Sequence, residues 1–323
     1  MAALGLVLLV LVLLLLRQNL FVVLGSVAAY AYLVFGDGVL ANIVIDAWDA
    51  ANKEVLLSIP LYILAGNIMA RGGIAVRLIR LMRAVTAPVP GGLAIATVLS
   101  CAVFAAVTGS GTVTLLAVGA VMYPALLQAG YPKAFALGAL TAAGTLGIIV
   151  PPSIPLILYG IMTQTSIADL FIAGVGPAIL LTTMMAVYAV VRNRGQRRQR
   201  WQTSELIAAL RKGIWALLMP VIILGGIYTG YFTPTESAAV AVVYAIVVEM
   251  LIHRELDWSG LYEVVAQTSQ LLGALFPVLM MALSLNVFLT YQQVPEQLVQ
   301  WLSGLITDST TFLLGTNLFL LLT

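Results

Sequence analysis

The stretch that decides the fold is Gly144-Thr145-Leu146-Gly147-Ile148-Ile149-Val150-Pro151-Pro152-Ser153-Ile154-Pro155, inside an apolar run over residues 134–165. Two consecutive prolines remove two backbone donors and clash with the preceding helical turn. Each proline also disfavours helical geometry in the residue before it. The helix is therefore predicted to break near Val150–Ser153. Non-helical backbone at membrane depth survives only where protein or a water-filled cavity satisfies it, so the break is predicted to lie at an internal site.

The composition places the chain in a membrane. Its 323 residues are 62% hydrophobic and 9% charged, whereas soluble domains carry roughly 25% charged residues. These values exclude an ordinary soluble protein, a disordered chain and a nucleic-acid binder. A single cysteine, Cys101, and a single histidine, His253, exclude an internal disulfide and Cys- or His-based transition-metal clusters. An enzyme is disfavoured too, because the apolar segments carry no paired acids and no nucleophile–base pair.

The apolar segments are predicted to be helices, since only helices and closed barrels satisfy the backbone in lipid. They are 1–16, 20–36, 54–70, 92–107, 112–129, 134–165, 170–191, 214–231, 236–252, 271–290 and 311–323. The first could instead be a signal peptide, but its positive charge, Arg17, follows the apolar run instead of preceding it. A first membrane helix is therefore favoured, and the whole chain is predicted to be an all-α polytopic membrane protein.

Basic residues concentrate in two clusters, which the positive-inside rule predicts to be cytoplasmic. The first is Arg71, Arg77, Arg80 and Arg83, and the second is Arg192, Arg194, Arg197, Arg198, Arg200, Arg211 and Lys212. The chain must cross the membrane an even number of times between them. Since 134–165 and 170–191 each cross once, residues 92–129 must return to their own side, as a re-entrant hairpin or as two ordinary spans. Binding of anionic lipid or nucleic acid by 192–212 is an alternative role for the second cluster.

Two loops are predicted to lie outside. Residues 291–310 contain no Lys or Arg, and residues 37–54 carry Asp37, Asp46, Asp49 and Glu54 against Lys53. The second of these loops is interpreted as an amphipathic surface helix, a docking surface or a plain solvated loop.

A polar stretch, Thr108-Gly109-Ser110-Gly111-Thr112, lies at the turn of 92–129. Its glycines allow a tight turn, and Ser110 can cap the helix that follows. Broken helices expose carbonyls that suit Na⁺ and N–H groups that suit a carboxylate. Turn and break together therefore predict a transport site. Kinks repaired by hydroxyls, and helix packing by small residues, are the alternative explanation.

Sodium is favoured over protons as the coupling ion. Lys133 is the only charged residue from 84 to 168, and proton-coupled carriers usually keep an intramembrane acid or histidine. Glu236 is interpreted as a helix cap and Glu249 as an interfacial residue. No cofactor is expected other than Na⁺ as coupling ion.

Five motifs resemble the large membrane subunit of TRAP (tripartite ATP-independent periplasmic) transporters. They are residues 58–69, 108–114, 144–160, 171–177 and 228–236. The resemblance implies an inverted-repeat, elevator-type transporter with a re-entrant hairpin and discontinuous helices, multi-pass in a bacterial inner membrane. It implies Na⁺-coupled import of an organic acid, such as a C4-dicarboxylate or sialic acid. It also implies two partners, a small four-helix membrane subunit and a periplasmic solute-binding protein. A passive channel or an ABC-type permease is the alternative.

The resemblance also assigns residues to the site. The implied Na⁺ ligands are Ser58, Asn67, Gly109, Ser110, Thr112, Gly144 and Thr145. The implied substrate contacts are Thr108, Ser110, Pro151, Pro152 and Ser153.

The predicted organisation has five parts. They are N-terminal scaffold helices with a surface helix (1–91), a first transport unit (92–191), a basic cytoplasmic loop (192–213), second-repeat scaffold helices (214–310) and the start of a second hairpin (311–323). Because the resemblance implies a complete second hairpin and a second broken helix, the chain is expected to be truncated at its C-terminus.

Overall fold

The computed structural model describes residues 2–36, 38–195, 201–305 and 308–322. All regular structure in those residues is helical, which confirms the predicted class. The helices are α1 (Ala2–Leu15), α2 (Leu20–Val34), α3 (Ala41–Ala51), α4 (Ser58–Arg71), α5 (Ile74–Thr86), α6 (Gly92–Thr108), α7 (Gly111–Gln128), α8 (Lys133–Gly144), α9 (Leu146–Ile149), α10 (Ile154–Thr163), α11 (Ile167–Arg192), α12 (Thr203–Tyr228), α13 (Pro234–Ile246), α14 (Trp258–Tyr291), α15 (Val294–Leu305) and α16 (Ser309–Leu322). A 3₁₀ turn (Glu54–Leu57) precedes α4, and a π-helical turn (Val247–Ile252) follows α13. Asp37, Arg197, Arg198 and Arg200 lie outside the described residues.

Seven segments in the described parts of the chain are long and apolar enough to cross a membrane. They are Glu54–Arg71, Gly111–Gln128, Lys133–Thr163, Ile167–Arg192, Thr203–Tyr228, Pro234–Ile252 and Trp258–Tyr291. Two of these helices begin earlier than hydropathy predicts. The first is α12, which starts at Thr203 and therefore includes Arg211 and Lys212, and the second is α14, which starts at Trp258.

The chain forms two compact units, one of Met1–Asn52 with Ala274–Thr323 and one of Lys53–Gly273. The sequence predicts five parts according to their roles in transport. The two units are defined by compactness, so they do not test that prediction. In the first unit, the rings of Tyr32 and Phe288 are in contact at a tilt of 46°, with their centroids 4.6 Å apart, and the Tyr32 hydroxyl donates a hydrogen bond to Asp46 on α3. The hydroxyl of Ser284 donates to the carbonyl of Ile43 at 3.2 Å. Residues 41–51 are thus a helix, so the plain-loop interpretation is wrong for them.

The second unit is built around close pairs of helices. Tyr62 on α4 meets Ser237 on α13 through hydroxyl oxygens 2.6 Å apart, and both side chains are fully buried. The start of α13 carries the predicted cap. There the Thr233 hydroxyl accepts from the backbone N–H of Glu236 at 3.2 Å, and the Glu236 carboxylate accepts from the N–H of Thr233 at 2.8 Å. This reciprocal pair satisfies two donors that a helix start leaves free.

The first turn of α5 is held by acids from the segment after α13. Glu249 is fully buried and accepts hydrogen bonds from the backbone N–H groups of Gly73 (3.2 Å) and Ile74 (3.0 Å). The sequence indicates an interfacial position for Glu249 but contains no sign of these contacts. The Glu255 carboxylate accepts hydrogen bonds from both terminal guanidinium nitrogens of Arg77, at 2.5 and 2.8 Å. This pairing lowers the pKa of Glu255. Burial, and then the charge of Arg77, lower the pKa of His253.

Two adjacent glycines of α12 give a matched test of packing at its C-terminal end. A Cβ on Gly226 would overlap the ring of Phe232, whereas a Cβ on Gly225 would meet nothing within 4 Å. We expect Gly226→Ala to lower the free energy of unfolding by about 1–3 kcal/mol, because the ring must leave its place. Gly225→Ala is expected to stabilise α12 slightly, since alanine favours helix over glycine. Thermal unfolding in detergent checks both variants, and equal stability would contradict this packing.

Candidate functional site: a helical turn joined to a broken helix

The turn between α6 and α7 is built by three residues in sequence. Gly109 ends α6 with φ +60°, a left-handed conformation that glycine adopts without steric cost. Ser110 follows in extended conformation, and its hydroxyl accepts the backbone N–H of Val113 at 3.5 Å. The Thr108 hydroxyl lies 2.9 Å from that of Thr114, and both threonines are fully buried. The hydroxyl groups of Thr108, Ser110 and Thr114 therefore lie at the turn.

The helix break lies where the prolines predict it. The four-residue helix α9 ends at Ile149, Val150 is extended, and α10 begins at Ile154. Ser153 caps α10 by accepting the backbone N–H of Leu156 at 3.5 Å, and its hydroxyl donates to the carbonyl of Ile148 at 2.5 Å. Ser153 is fully buried. One side chain thus satisfies a backbone group on each side of the break.

The turn and the break are directly bonded to each other. The backbone N–H of Ile154 donates to the carbonyl of Gly109 at 3.2 Å. A Cβ on Gly109 would lie 2.8 Å from the carbonyl oxygen of Pro152. This contact brings the two predicted motifs to one place, next to the middle of the segment Lys133–Thr163.

Glycines allow the two backbones to approach this closely. A Cβ on Gly111 would lie 2.9 Å from the carbonyl oxygen of Gly144, and a Cβ on Gly147 would lie 2.5 Å from the backbone nitrogen of Gly111. Gly147 belongs to the run around the prolines, but it is not among the residues predicted for the site. Gly66 on α4 is missed in the same way, although a Cβ there would lie 2.9 Å from the Cβ of Thr108. The sequence feature that could have indicated Gly147 and Gly66 is a glycine within an apolar helix, which allows neighbouring helices to approach closely.

The arrangement collects free backbone groups of both signs. Helices α6 and α9 end here with carbonyls that lack a helical partner, and α7 begins here with N–H groups that lack one. The N–H groups at the start of α10 are already bonded, Ile154 to the carbonyl of Gly109 and Leu156 to the hydroxyl of Ser153. Carbonyl ends favour a cation, and N–H ends favour an anion. Of the predicted side chains, Thr108 and Ser153 are buried, Ser110 is half-buried, and Thr112 and Thr145 are exposed. The Thr145 hydroxyl donates to the carbonyl of Ala142 at 2.7 Å.

Two predicted ligands have their hydrogen bonds elsewhere. The hydroxyl of Ser58, the first residue of α4, donates to the carbonyl of Val55 in the preceding 3₁₀ turn at 2.5 Å. The amide of Asn67 donates to the hydroxyl of Thr268 on α14 at 2.9 Å. Neither contact reaches the turn or the break, and neither tests binding of Na⁺, so both assignments stay predictions.

Comparison with known proteins gives a consistent result. Residues 7–323 match the family described as "Tripartite ATP-independent periplasmic transporter, DctM component". The C4-dicarboxylate TRAP transporter large permease protein of Pseudomonas aeruginosa is 39% identical over 302 residues, which cover 93% of this chain and 71% of that protein. The ectoine TRAP transporter large permease protein of Halomonas elongata is 35% identical, with 85% and 65% covered. An isethionate TRAP transporter permease protein of Oleidesulfovibrio alaskensis is 36% identical, with 85% and 44% covered.

Proposed function

Because the chain belongs to the DctM component family of the tripartite ATP-independent periplasmic transporters, we propose that it forms the pathway for Na⁺-coupled import of an organic acid. It is a multi-pass protein of a bacterial inner membrane and a permease component, not an enzyme. It spans about two thirds of the length of the P. aeruginosa and H. elongata relatives. Transport is therefore proposed for the full-length permease.

One observation carries the proposal, the hydrogen bond from Ile154 N–H to the Gly109 carbonyl. It supports a site in which broken-helix carbonyls and hydroxyls bind Na⁺ while the N–H start of α7 faces a carboxylate. In this site Gly109, Ser110, Thr112, Gly144 and Thr145 supply oxygens to Na⁺. Thr108, Ser110, Pro151, Pro152 and Ser153 surround the substrate. Ser58 and Asn67 are retained as further proposed Na⁺ ligands.

The substrate is proposed as a class. The three relatives are named for C4-dicarboxylate, ectoine and isethionate, which are three different substrates. From residue 84 to 168 this chain offers one charged side chain, Lys133, so backbone dipoles supply most of the local positive potential for an acid. Recognition by dipoles fits a small organic acid without fixing its shape.

The remaining parts of the mechanism are proposed from the family. A periplasmic solute-binding protein delivers the acid, and a small membrane subunit supports the large one. The hairpin of α6 and α7 re-enters the membrane, and it moves together with the broken helix in an elevator-type motion. The bond between Gly109 and Ile154 supports this joint movement, because it couples the two elements at their midpoints.

Ser110→Ala in the full-length permease tests the proposal. We expect Na⁺-dependent uptake to fall by about tenfold or more, because the substitution removes an oxygen ligand worth about 1.5–3 kcal/mol to a charged group. Uptake is measured in proteoliposomes that also contain the small subunit and the binding protein, with and without a Na⁺ gradient.

Ser166→Ala is the matched control. Ser166 caps α11 by accepting the N–H of Asp169 at 3.3 Å, so its loss has a similar structural cost of about 1 kcal/mol but lies at a different helix start. Equal uptake by the two variants would contradict the site. Uptake that survives a collapsed Na⁺ gradient and depends on ATP would favour the ABC-type alternative.

A further inference from the structure

A cavity lies beside α5, and none of its lining residues belongs to the α6–α7 turn or to the helix break. Its volume is about 660 Å³. Its walls combine apolar and charged side chains of α5, α7 and α12 with Gln202, the residue before α12. Its polar residues are Arg80 and Arg83 of α5, Glu205 in the first turn of α12, and Gln202 just before that turn. Val76, Ile79 and Val121 supply apolar walls. Such a mixture suits an amphiphilic molecule better than a purely ionic or purely apolar one.

The charged side chains of this cavity are not paired with other described side chains. Arg71 pairs with Glu263 and Arg77 pairs with Glu255 in the same basic cluster. Within the described residues, Arg80, Arg83 and Glu205 make no ion pair and no side-chain hydrogen bond. Two guanidinium groups and one carboxylate therefore face the cavity with their bonding capacity free.

The position of the cavity matches the membrane surface. Helix α5 buries Leu78, Leu81 and Met82 and exposes Val76, Arg80 and Arg83 along one face, since these positions are four and three residues apart. Its arginines belong to the cluster that the positive-inside rule places at the cytoplasmic side. Basic side chains at the cytoplasmic face of a membrane protein attract lipid headgroups.

We propose that this cavity binds the headgroup of a phospholipid that carries both a phosphate and a primary ammonium group, as phosphatidylethanolamine does. Arg80 and Arg83 bind the phosphate, for which guanidinium has matching donor geometry. Glu205 accepts from the ammonium group. The acyl chains lie along Val76 and Val121. The headgroup thereby links α5 to the start of α12.

The acid distinguishes this lipid from an anionic one. A site for phosphatidylglycerol needs cations alone, and Glu205 would repel the lipid's net negative charge. Phosphatidylcholine has the same phosphate, but its quaternary ammonium has no N–H to donate to Glu205. The relative affinities for phosphatidylethanolamine, phosphatidylglycerol and phosphatidylcholine therefore report separately on the contact of the phosphate with the arginines and on the contact of the ammonium group with Glu205.

Native mass spectrometry of the purified chain, titrated with each of the three lipids, tests the proposal. We expect phosphatidylethanolamine to bind most tightly. The double substitution Arg80→Gln and Arg83→Gln is expected to weaken it by about tenfold. Glu205→Gln is expected to weaken phosphatidylethanolamine by about threefold to tenfold and to leave phosphatidylglycerol unchanged or tighter. The Glu205 variant keeps both arginines, so it tests the ammonium contact even if the double variant folds poorly.

The matched control removes two positive charges outside the cavity, with Arg211→Gln and Lys212→Gln on the exposed face of α12. Its phosphatidylethanolamine affinity should stay within about twofold of the wild type. Equal losses in the two double variants, or equal wild-type affinities for phosphatidylethanolamine and phosphatidylglycerol, would overturn the proposal. Displacement of the lipid by inorganic phosphate would identify a free-phosphate site and overturn the lipid assignment.

Discussion

Gly147→Ala is expected to separate the α6–α7 turn from the broken helix and to reduce Na⁺-dependent uptake by about tenfold or more. A Cβ there would lie 2.5 Å from the nitrogen of Gly111, 2.6 Å from its Cα and 2.7 Å from the carbonyl carbon of Ser110. These are backbone atoms, which cannot rotate aside as a flexible side chain can. Overpacking of this kind costs about 1–3 kcal/mol, and about 1.4 kcal/mol corresponds to a tenfold change in an equilibrium.

The comparison variant is Gly138→Ala, in the same segment as Gly147. A Cβ on Gly138 would meet nothing within 4 Å, so this change should leave uptake intact and favour the helix slightly. Uptake by the full-length permease is measured in proteoliposomes after equal membrane insertion is shown for both variants. Wild-type uptake by Gly147→Ala would falsify the claim that close backbone contact at this site is needed for transport.

Local chemistry explains why the break could be predicted from the sequence. Proline acts on its own turn and on the residue before it, so Pro151 and Pro152 fix the break regardless of what surrounds them. The capping role of Ser110 follows from its position before a helix, and that of Glu236 follows from its position three residues after Thr233, which together form a capping box. The all-helical class follows from composition, since lipid leaves few alternatives.

Contacts between distant segments could not be predicted in this way. The sequence offers no means of telling that Gly147 meets Gly111, or that Glu249 meets the start of α5, because both depend on how helices pack. Hydropathy also misplaces helix ends where charged residues extend a span. Arg211 and Lys212 lie in α12 because arginine and lysine are good helix formers outside the apolar core, although hydropathy alone assigns them to a loop.

Glu249→Ala is expected to lower the stability of the protein more than the loss of an exposed ion pair does. Its carboxylate is fully buried and accepts two backbone N–H groups at the start of α5, Gly73 at 3.2 Å and Ile74 at 3.0 Å. Removal leaves both donors without that acceptor, and a buried donor left without its partner costs about 1–3 kcal/mol. We expect a loss of about 2–4 kcal/mol in the free energy of unfolding, measured by thermal unfolding in detergent.

Two further variants separate this cap from a general effect of lost charge. Glu249→Gln keeps an amide oxygen as one acceptor, so it should lose about half as much stability as Glu249→Ala. Glu263→Ala removes an acid whose pair with Arg71 is about half exposed, and exposed pairs contribute about 0–1 kcal/mol. Gly72 and Gly73 connect α4 to α5. A loosened start of α5 should therefore also change the angle between these two helices. Equal stability of Glu249→Ala and Glu263→Ala would show that α5 does not need this buried cap.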